Sequence, residues 1–189
     1  MNILPLFPTP IAQIPNFISS KERLQLIDSI KKNKHHIHKS ISGDGYSAHG
    51  SGKIFNVVDK RIKNRMQVAL DEYNQTCGNH LSEIDCLWSN IQHSGSRLLQ
   101  HSHPTSAVSG SLYVNVGEDC RLYFHNPNPY VYYLEKDKYT HYNFENYWIS
   151  VKNCLLVLFP SWLRHGNDNV VNKMNDRMVV SFNSLLRQK

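Results

Sequence analysis

The second half of the chain is a succession of short β-like segments, and this feature limits the possible folds most. From about Ile84 onward, turn clusters rich in Gly, Asn, Asp and Pro separate six apolar or alternating runs. These runs are 84–93, 107–116, 121–127, 147–151, 154–160 and 177–186. Short strands at this spacing are typical of a β-sandwich or barrel. Because the predicted helices precede the strands and do not alternate with them, a parallel βαβ sheet is not expected.

The first eighty residues predict a strand and two helices that support this β core. Residues 1–18 are rich in proline and alternate in hydropathy, which favours an extended edge strand. A helix is predicted from Ser19 or Ser20 to about Lys34, and a second helix over 58–77. We therefore expect one domain over 1–189, in which the segment 1–80 packs on a β core of 84–189. The fold class is mainly β, a sandwich or jelly roll buttressed by N-terminal helices.

Composition narrows the possible partners and compartments. The 189 residues carry a net charge of +6, and 21–65 alone holds 11 Lys and Arg against 4 Asp and Glu. Such a segment can face nucleic acid or another anionic partner, but no basic stripe with interleaved aromatic residues accompanies the charge, so we favour a solvated surface. No apolar run approaches the ~20 residues that span a bilayer, and a signal peptide is not indicated. We expect a cytoplasmic protein with no membrane partner, whose four cysteines are small buried hydrophobes.

Three histidines form the candidate metal site. In the sequence QHSHP, His101 and His103 are two residues apart, so on an extended chain both point to the same side. Two imidazoles placed in this way can converge on one metal ion, although two unrelated loop histidines fit the pattern equally well. His165 follows the strongly apolar run 155–159, where a jelly roll opens. We expect the histidines at 35, 36, 38, 49, 80, 93 and 141 to be solvated surface residues.

Arg177 is the candidate anion-binding residue. Alternation along the last strand places Arg177, Val179, Ser181 and Asn183 on one face. If that face is interior, the buried guanidinium needs a partner, and the sequence offers no obvious acid. A ligand carboxylate would satisfy it, because guanidinium is suited to bidentate carboxylate recognition. Alternation alone also allows Arg177 to face solvent.

Four separated blocks resemble the 2-oxoglutarate/Fe(II)-dependent oxygenases, and in particular the small bacterial and phage oxygenases related to prolyl 4-hydroxylases. The blocks occur in the family's order between about Trp88 and Asn183. They are Gly95 with His101-Ser102-His103-Pro104, then Ser109-Gly110-Ser111-Leu112-Tyr113-Val114, then Leu158 to His165, and finally Arg177 to Asn183. The resemblance implies a double-stranded β-helix, which is a jelly roll.

The resemblance also implies a cofactor set and residue roles. His101 and His165 take the two histidine positions of the family's Fe(II) site. His103 stands where the family has a carboxylate, so the implied metal and catalytic set is His101, His103 and His165. If His103 turns away, an acid such as Glu118 or Asp119 could take its place. Arg177, with Tyr113, takes the position that binds the distal carboxylate of 2-oxoglutarate, and Ser181 and Asn183 are further candidate cosubstrate-binding residues.

The implied activity is that of an Fe(II)- and 2-oxoglutarate-dependent dioxygenase. It would hydroxylate a peptide residue or a small metabolite while 2-oxoglutarate is oxidatively decarboxylated to succinate. The segments 35–53 and 128–147 are expected to be lids on the substrate side, and Trp88, Trp148 and Trp162 are expected in the core. Two alternatives remain at this point. One is a cupin-like three-histidine dioxygenase that does not use 2-oxoglutarate, and the other is a non-catalytic jelly-roll binding module.

Overall fold

A computed structural model describes residues 1–4, 6–49, 58–133, 135–167 and 170–188. Its two helices are α1 (Ser20–Lys32) and α2 (Lys60–Thr76). The strands are β1 (Ala12–Ile14), β2 (His36–Ile37), β3 (Ile41–Ser42), β4 (Gly45–Ser47), β5 (Ser82–Gln92), β6 (Arg97–Leu98), β7 (Val108–Asn115), β8 (Arg121–His125), β9 (Asn146–Ser150), β10 (Leu156–Pro160), β11 (His165–Gly166) and β12 (Arg177–Leu186). A 3₁₀ turn covers Pro129–Tyr132.

The helices begin where their capping residues indicate. At the start of α1 the Ser19 hydroxyl accepts a hydrogen bond from the Glu22 backbone N–H, and the Glu22 carboxylate accepts one from the Ser19 N–H. This capping box satisfies two N–H groups that a helix start leaves without partners. Asp59 caps α2 by accepting from the Arg61 N–H at 2.7 Å. Both helices end within two residues of their predicted ends.

Antiparallel strands form two facing sheets, and the predicted mainly β jelly roll is confirmed. The large sheet has the order β1-β10-β7-β12-β5-β4-β2, so β1 is an edge strand as expected. The smaller sheet has the order β11-β8-β9, and a two-stranded pair joins β3 to β6. All six predicted strands of the β core are present, with ends that shift by a few residues.

Each face of the large sheet has its own apolar core. One face packs on α1 and α2 through buried side chains that include Leu112, Leu156, Leu158, Met178, Val180 and Phe182. The opposite face packs on the smaller sheet through Tyr113, Leu122, Phe124, Val157, Phe159 and Val179. The alternation of β12 therefore places Met178 and Val180 towards the helices, and Val179 towards the smaller sheet. Arg177, on the same side of β12 as Val179, is interior and does not face solvent.

Some sequence expectations were wrong in detail. Trp148 and Trp162 are 43% and 52% exposed, and of the three tryptophans only Trp88 is buried. The four cysteines are partly exposed and are not fully buried. The expected lid 35–53 contains three short strands, β2 to β4, and its residues 50–53 lie outside the described ranges.

No helix in the described parts of the chain is long and apolar enough to cross a membrane. A cytoplasmic location stays a prediction.

Candidate metal and cosubstrate site

A cavity of about 320 Å³ opens between the two sheets, and all seven predicted site residues line it. They are His101, His103, Tyr113, His165, Arg177, Ser181 and Asn183. The volume is within the range of small-molecule sites. The seven residues therefore lie around one cavity of the fold, and their roles stay predictions.

Three imidazoles converge at one end of this cavity. The ligand nitrogens of His101, His103 and His165 all lie within 4.8 Å of one another. Backbone hydrogen bonds hold them there. The His101 N–H donates to the His165 carbonyl at 3.0 Å, and the His165 N–H donates to the His101 carbonyl at 2.9 Å. The His103 N–H donates to the Ser161 carbonyl at 2.8 Å, which ties the third histidine to the end of β10.

The hydrogen bonds of these rings favour the metal-binding form of imidazole. Nδ1 of His101 lies 2.7 Å from the Leu99 carbonyl, and Nδ1 of His165 lies 2.8 Å from the Leu163 carbonyl. Because a carbonyl only accepts, each Nδ1 carries the proton, and each Nε2 keeps a lone pair for a metal. Burial lowers the pKa of His103 to about 4. Burial also lowers the pKa of His165, and the nearby His101 lowers it further by a smaller amount. Both rings are therefore neutral at pH 7.

The donor set fits a divalent transition metal and contains no carboxylate. Among the described residues, no Asp or Glu joins the three histidines. Glu118 and Asp119 line a neighbouring cavity of about 500 Å³ and do not line the cavity of the imidazoles. Imidazole suits Fe, and also Zn, Cu and Ni. A metal bound here would keep its full +2 charge, because all three ligands are neutral.

Arg177 is a buried cation with neutral partners. It is only 4% exposed, and Nη1 donates to Oε1 of Gln92 while Nε donates to Sγ of Cys120 at 3.3 Å. Its guanidinium carbon lies 5.9 Å from the centre of the Tyr113 ring. In the described part of the chain, no carboxylate lies within ion-pair distance of it. A buried charge without a counter-ion is costly, so a ligand carboxylate fits this position.

Gln92 and Tyr113 offer further donors beside Arg177. Gln92 is 1% exposed, and its buried Nε2 has no hydrogen-bond partner among the described residues. Burial raises the pKa of Tyr113, so its hydroxyl stays protonated at neutral pH and can donate. Sequence reasoning missed Gln92. It lies directly opposite Arg177 in the β5–β12 pairing, and only the strand register reveals this neighbour.

Ser181 and Asn183 line the same cavity but lie away from Arg177. Asn183 is six residues further along β12, which is roughly 20 Å on an extended strand. Its Oδ1 accepts from the Ser109 hydroxyl at 2.7 Å, and that hydroxyl also contacts the Ser161 hydroxyl at 2.8 Å. Cosubstrate binding by Ser181 and Asn183 stays a prediction.

Two histidines expected on the surface belong to the mouth of this cavity. His38 is half-buried, and the exposed His49 places its ring 4.7 Å from that of Trp88. His35 is also half-buried, with Nε2 2.9 Å from the Ser89 hydroxyl, so the expectation of a solvated ring was wrong for it. His125 lines a different cavity.

Comparison with known proteins gives a family match over the β core. Residues 86–183 match the family described as "Putative 2OG-Fe(II) oxygenase". The match spans just over half of the chain and includes all seven predicted site residues as well as Gln92. No curated protein matches the sequence.

Solved structures share the fold at low sequence identity. An oxidoreductase of the 2OG-Fe(II) oxygenase family from Burkholderia pseudomallei has a TM-score of 0.63 and 10% identity, covering 94% of this chain and 88% of that one. A prolyl-4-hydroxylase from Pseudomonas putida has a TM-score of 0.55 and 14% identity, covering 96% and 94%. HygX from Streptomyces hygroscopicus, with nickel and 2-oxoglutarate bound, has a TM-score of 0.62 and 12% identity, covering 94% and 83%. At these low sequence identities, the similarity shows a shared fold and nothing about the substrate.

Proposed function

This chain belongs to the 2OG-Fe(II) oxygenase family, and from that premise we propose that it is an Fe(II)- and 2-oxoglutarate-dependent hydroxylase. Its substrate would be a small molecule or a peptide residue. We assign the metal to His101, His103 and His165, and the distal carboxylate of 2-oxoglutarate to Arg177. Tyr113 and Gln92 would donate further hydrogen bonds to that carboxylate.

The bound Fe(II) and 2-oxoglutarate would supply the oxidising chemistry, in which one oxygen atom of O₂ enters succinate and the other enters the product hydroxyl. The protein's own residues bind, orient and exclude water. The three histidines offer one imidazole nitrogen each, which is Nε2 for His101 and His165, and Arg177 offers a buried cation in the same cavity. Phe159, whose ring centre lies 4.5 Å from that of His165, and Val179 contribute apolar walls. Such walls strengthen the charge interactions inside the cavity.

The observation that carries this proposal is the buried Arg177, which has no carboxylate partner in the described chain and lines the same cavity as the three imidazoles. Loss of a buried charge partner costs about 3–5 kcal/mol. Arg177→Ala should therefore weaken 2-oxoglutarate binding by roughly two to three orders of magnitude. Arg177→Lys should recover only part of the affinity, because an ammonium lacks the bidentate geometry of guanidinium.

Calorimetric titration of 2-oxoglutarate into anaerobic, Ni(II)-loaded protein measures this effect. Arg187→Ala is the matched control, because Arg187 pairs with Asp71 on an exposed surface outside the cavity. An unchanged dissociation constant for Arg177→Ala would overturn the assignment. Succinate formation from Fe(II), O₂ and 2-oxoglutarate should also be detectable without added substrate, and His165→Ala should abolish it.

The three-histidine donor set also favours a second candidate, a cupin-like dioxygenase that does not use 2-oxoglutarate. Oxygen consumption with a thiol or a diketone, in the absence of 2-oxoglutarate, would support that activity. A purified protein that retains no Fe(II) or other divalent metal would instead favour a non-catalytic binding module.

A further inference from the structure

A tight turn at the mouth of the cavity carries a group of hydrogen-bond donors that the proposed cosubstrate and metal sites do not use. The Ile41 N–H donates to the His38 carbonyl at 2.9 Å, which closes a turn over 38–41. His38, Lys39 and Ser40 of this turn line the cavity, together with His49, which follows β4. We refer to His38, Lys39, Ser40 and His49 as the mouth cluster.

The mouth cluster combines one fixed cation with neutral donors. Nδ1 of His38 accepts a hydrogen bond from the Ser40 N–H at 3.2 Å, so the proton of the neutral ring is on Nε2, which can donate. Burial lowers the pKa of His38 and of His49, with smaller effects from nearby positive charge that includes Lys39. Both imidazoles are therefore mainly uncharged at pH 7, and Lys39 supplies the permanent charge.

The permanently charged residues in the described lining of the cavity are both positive. No Asp or Glu is among the described residues that line it, whereas Lys39 and Arg177 are cations. The three metal-binding candidates are neutral imidazoles, so a divalent metal and the 2-oxoglutarate dianion cancel each other in charge. The filled cavity thus keeps the charges of Lys39 and Arg177 with no protein anion to balance them. This excess favours an anionic second ligand.

Hydrogen bonds hold the mouth cluster at a set distance from the metal end. The Leu99 N–H donates to the Ser40 carbonyl at 2.8 Å, and the Leu99 carbonyl faces Nδ1 of His101 at 2.7 Å. On the other side, the Trp88 ring lies between His49 and His103, with ring-centre distances of 4.7 and 6.0 Å. A small ligand held at the mouth would therefore extend towards the three histidines.

We propose that the mouth cluster binds an oxyanion of the substrate, a carboxylate or a phosphate, and that the substrate is a small anionic molecule. The ammonium of Lys39 would pair with the anion, while the imidazoles of His38 and His49 would donate hydrogen bonds to it. The carbon to be oxidised would then lie further inside, towards the metal end. The assignment of this anion to a substrate rests on the proposed function, whereas the anion site itself does not.

Inorganic phosphate is the probe for this site. Calorimetry would follow phosphate binding to Ni(II)-loaded protein saturated with 2-oxoglutarate, so that Arg177 is already occupied. The wild type should bind phosphate, and the affinity should fall as sodium chloride is raised. Lys39→Met should weaken binding about three- to fivefold, as for an exposed ion pair. The double variant Lys39→Met/His49→Leu should weaken phosphate binding about tenfold or more, because the hydrogen bond from His49 to the charged phosphate is also lost.

Lys60→Met is the matched control, because it removes the same charge at the start of α2, which packs on the opposite face of the large sheet. It should leave phosphate binding unchanged, and thermal melting of each variant checks that the fold is kept. Absence of phosphate binding to the wild type, or equal affinity in the wild type and the double variant, would overturn the proposal. No turnover is measured, and the same titration can be run on Arg177→Ala protein without 2-oxoglutarate. This test can therefore fail while the Arg177 test of the proposed function succeeds, and the reverse.

Discussion

Replacing Gln92 with Glu would give Arg177 the carboxylate that it lacks among the described residues. Oε1 of Gln92 already accepts a hydrogen bond from Nη1 of Arg177, and Gln and Glu have nearly the same size and shape. The new carboxylate would therefore pair with the guanidinium in place. This internal ion pair would neutralise the Arg177 guanidinium, which we propose binds the distal carboxylate of 2-oxoglutarate.

The size of the effect follows from the burial of both side chains. Gln92 and Arg177 are 1% and 4% exposed, so solvent screens their interaction only weakly. To bind in the variant, 2-oxoglutarate would have to separate a buried pair and place its own negative charge beside Glu at position 92. Separating a buried pair costs about 3–5 kcal/mol. The affinity for 2-oxoglutarate should therefore fall by roughly two to three orders of magnitude.

A second substitution at the same position separates the effect of the added negative charge from the effect of losing the amide. Gln92→Leu removes the unpartnered Nε2 donor and the acceptor for Arg177, but adds no anion. The net contribution of a neutral hydrogen bond is about 0.5–1.5 kcal/mol, so the loss in affinity should be about two- to tenfold. The predicted order of 2-oxoglutarate affinity is wild type, then Gln92→Leu, then Gln92→Glu by a wide margin.

Anaerobic calorimetry with Ni(II)-loaded protein again provides the measurement. Thermal melting of the metal-free variants adds a second readout, because Gln92→Glu compensates the buried charge and should melt at or above the temperature of Gln92→Leu. If Gln92→Glu binds 2-oxoglutarate as tightly as the wild type, Arg177 does not receive the distal carboxylate. The proposed cosubstrate site would then be wrong.

Three further predictions test the metal centre, the packing and the pH response. His103→Ala should weaken Ni(II) binding at least about tenfold in a chelator competition, and an unchanged affinity would remove His103 from the ligand set. Gly110→Ala should destabilise the protein by about 1–3 kcal/mol in urea unfolding, because its new Cβ would lie 2.2 Å from the Phe182 ring. Gly117→Ala is the control, since its nearest neighbour lies at 3.9 Å and stability should hardly change. Burial lowers the pKa of His35 below the ordinary 6.5, so the unfolded chain takes up this proton first and stability falls as pH drops through 6.5. His35→Gln should therefore reduce the loss of melting temperature between pH 7 and pH 5, and an unaltered slope would contradict this account.

The strands and helices could be predicted because their signals are local. The two-residue periodicity of β12 can be derived from the sequence between Arg177 and Asn183. It places Arg177, Val179, Ser181 and Asn183 on the cavity side, and Met178 and Val180 on the side of the helices. The start of α1 is similarly set by the Ser19–Glu22 capping box, three residues apart. Such features depend on neighbours within one strand or one helical turn, so no knowledge of the tertiary structure is needed.

The missed features all depend on pairing between distant segments. Gln92 is next to Arg177 only because β5 pairs with β12 in one register, and a shift by one residue would turn its side chain to the other face of the sheet. The turn that carries His38 reaches the cavity because β3 pairs with β6. Trp148 lies in a predicted strand, yet it is exposed and stacks under the Arg121 guanidinium at 4.0 Å. An apolar run predicts a strand without showing which of its faces is covered.

The departure at His103 and the charge of the cavity have a common physical consequence. A carboxylate at that position would cancel part of the metal's charge and would repel a second anion near the metal. A neutral imidazole does neither, so the metal end tolerates more negative charge from its ligands. The described lining contributes no anion of its own, and both of its permanent charges, Lys39 and Arg177, are positive. In our proposal, bound ligands therefore balance the positive charges of the cavity. The cosubstrate pairs with Arg177, and the anionic substrate pairs with Lys39.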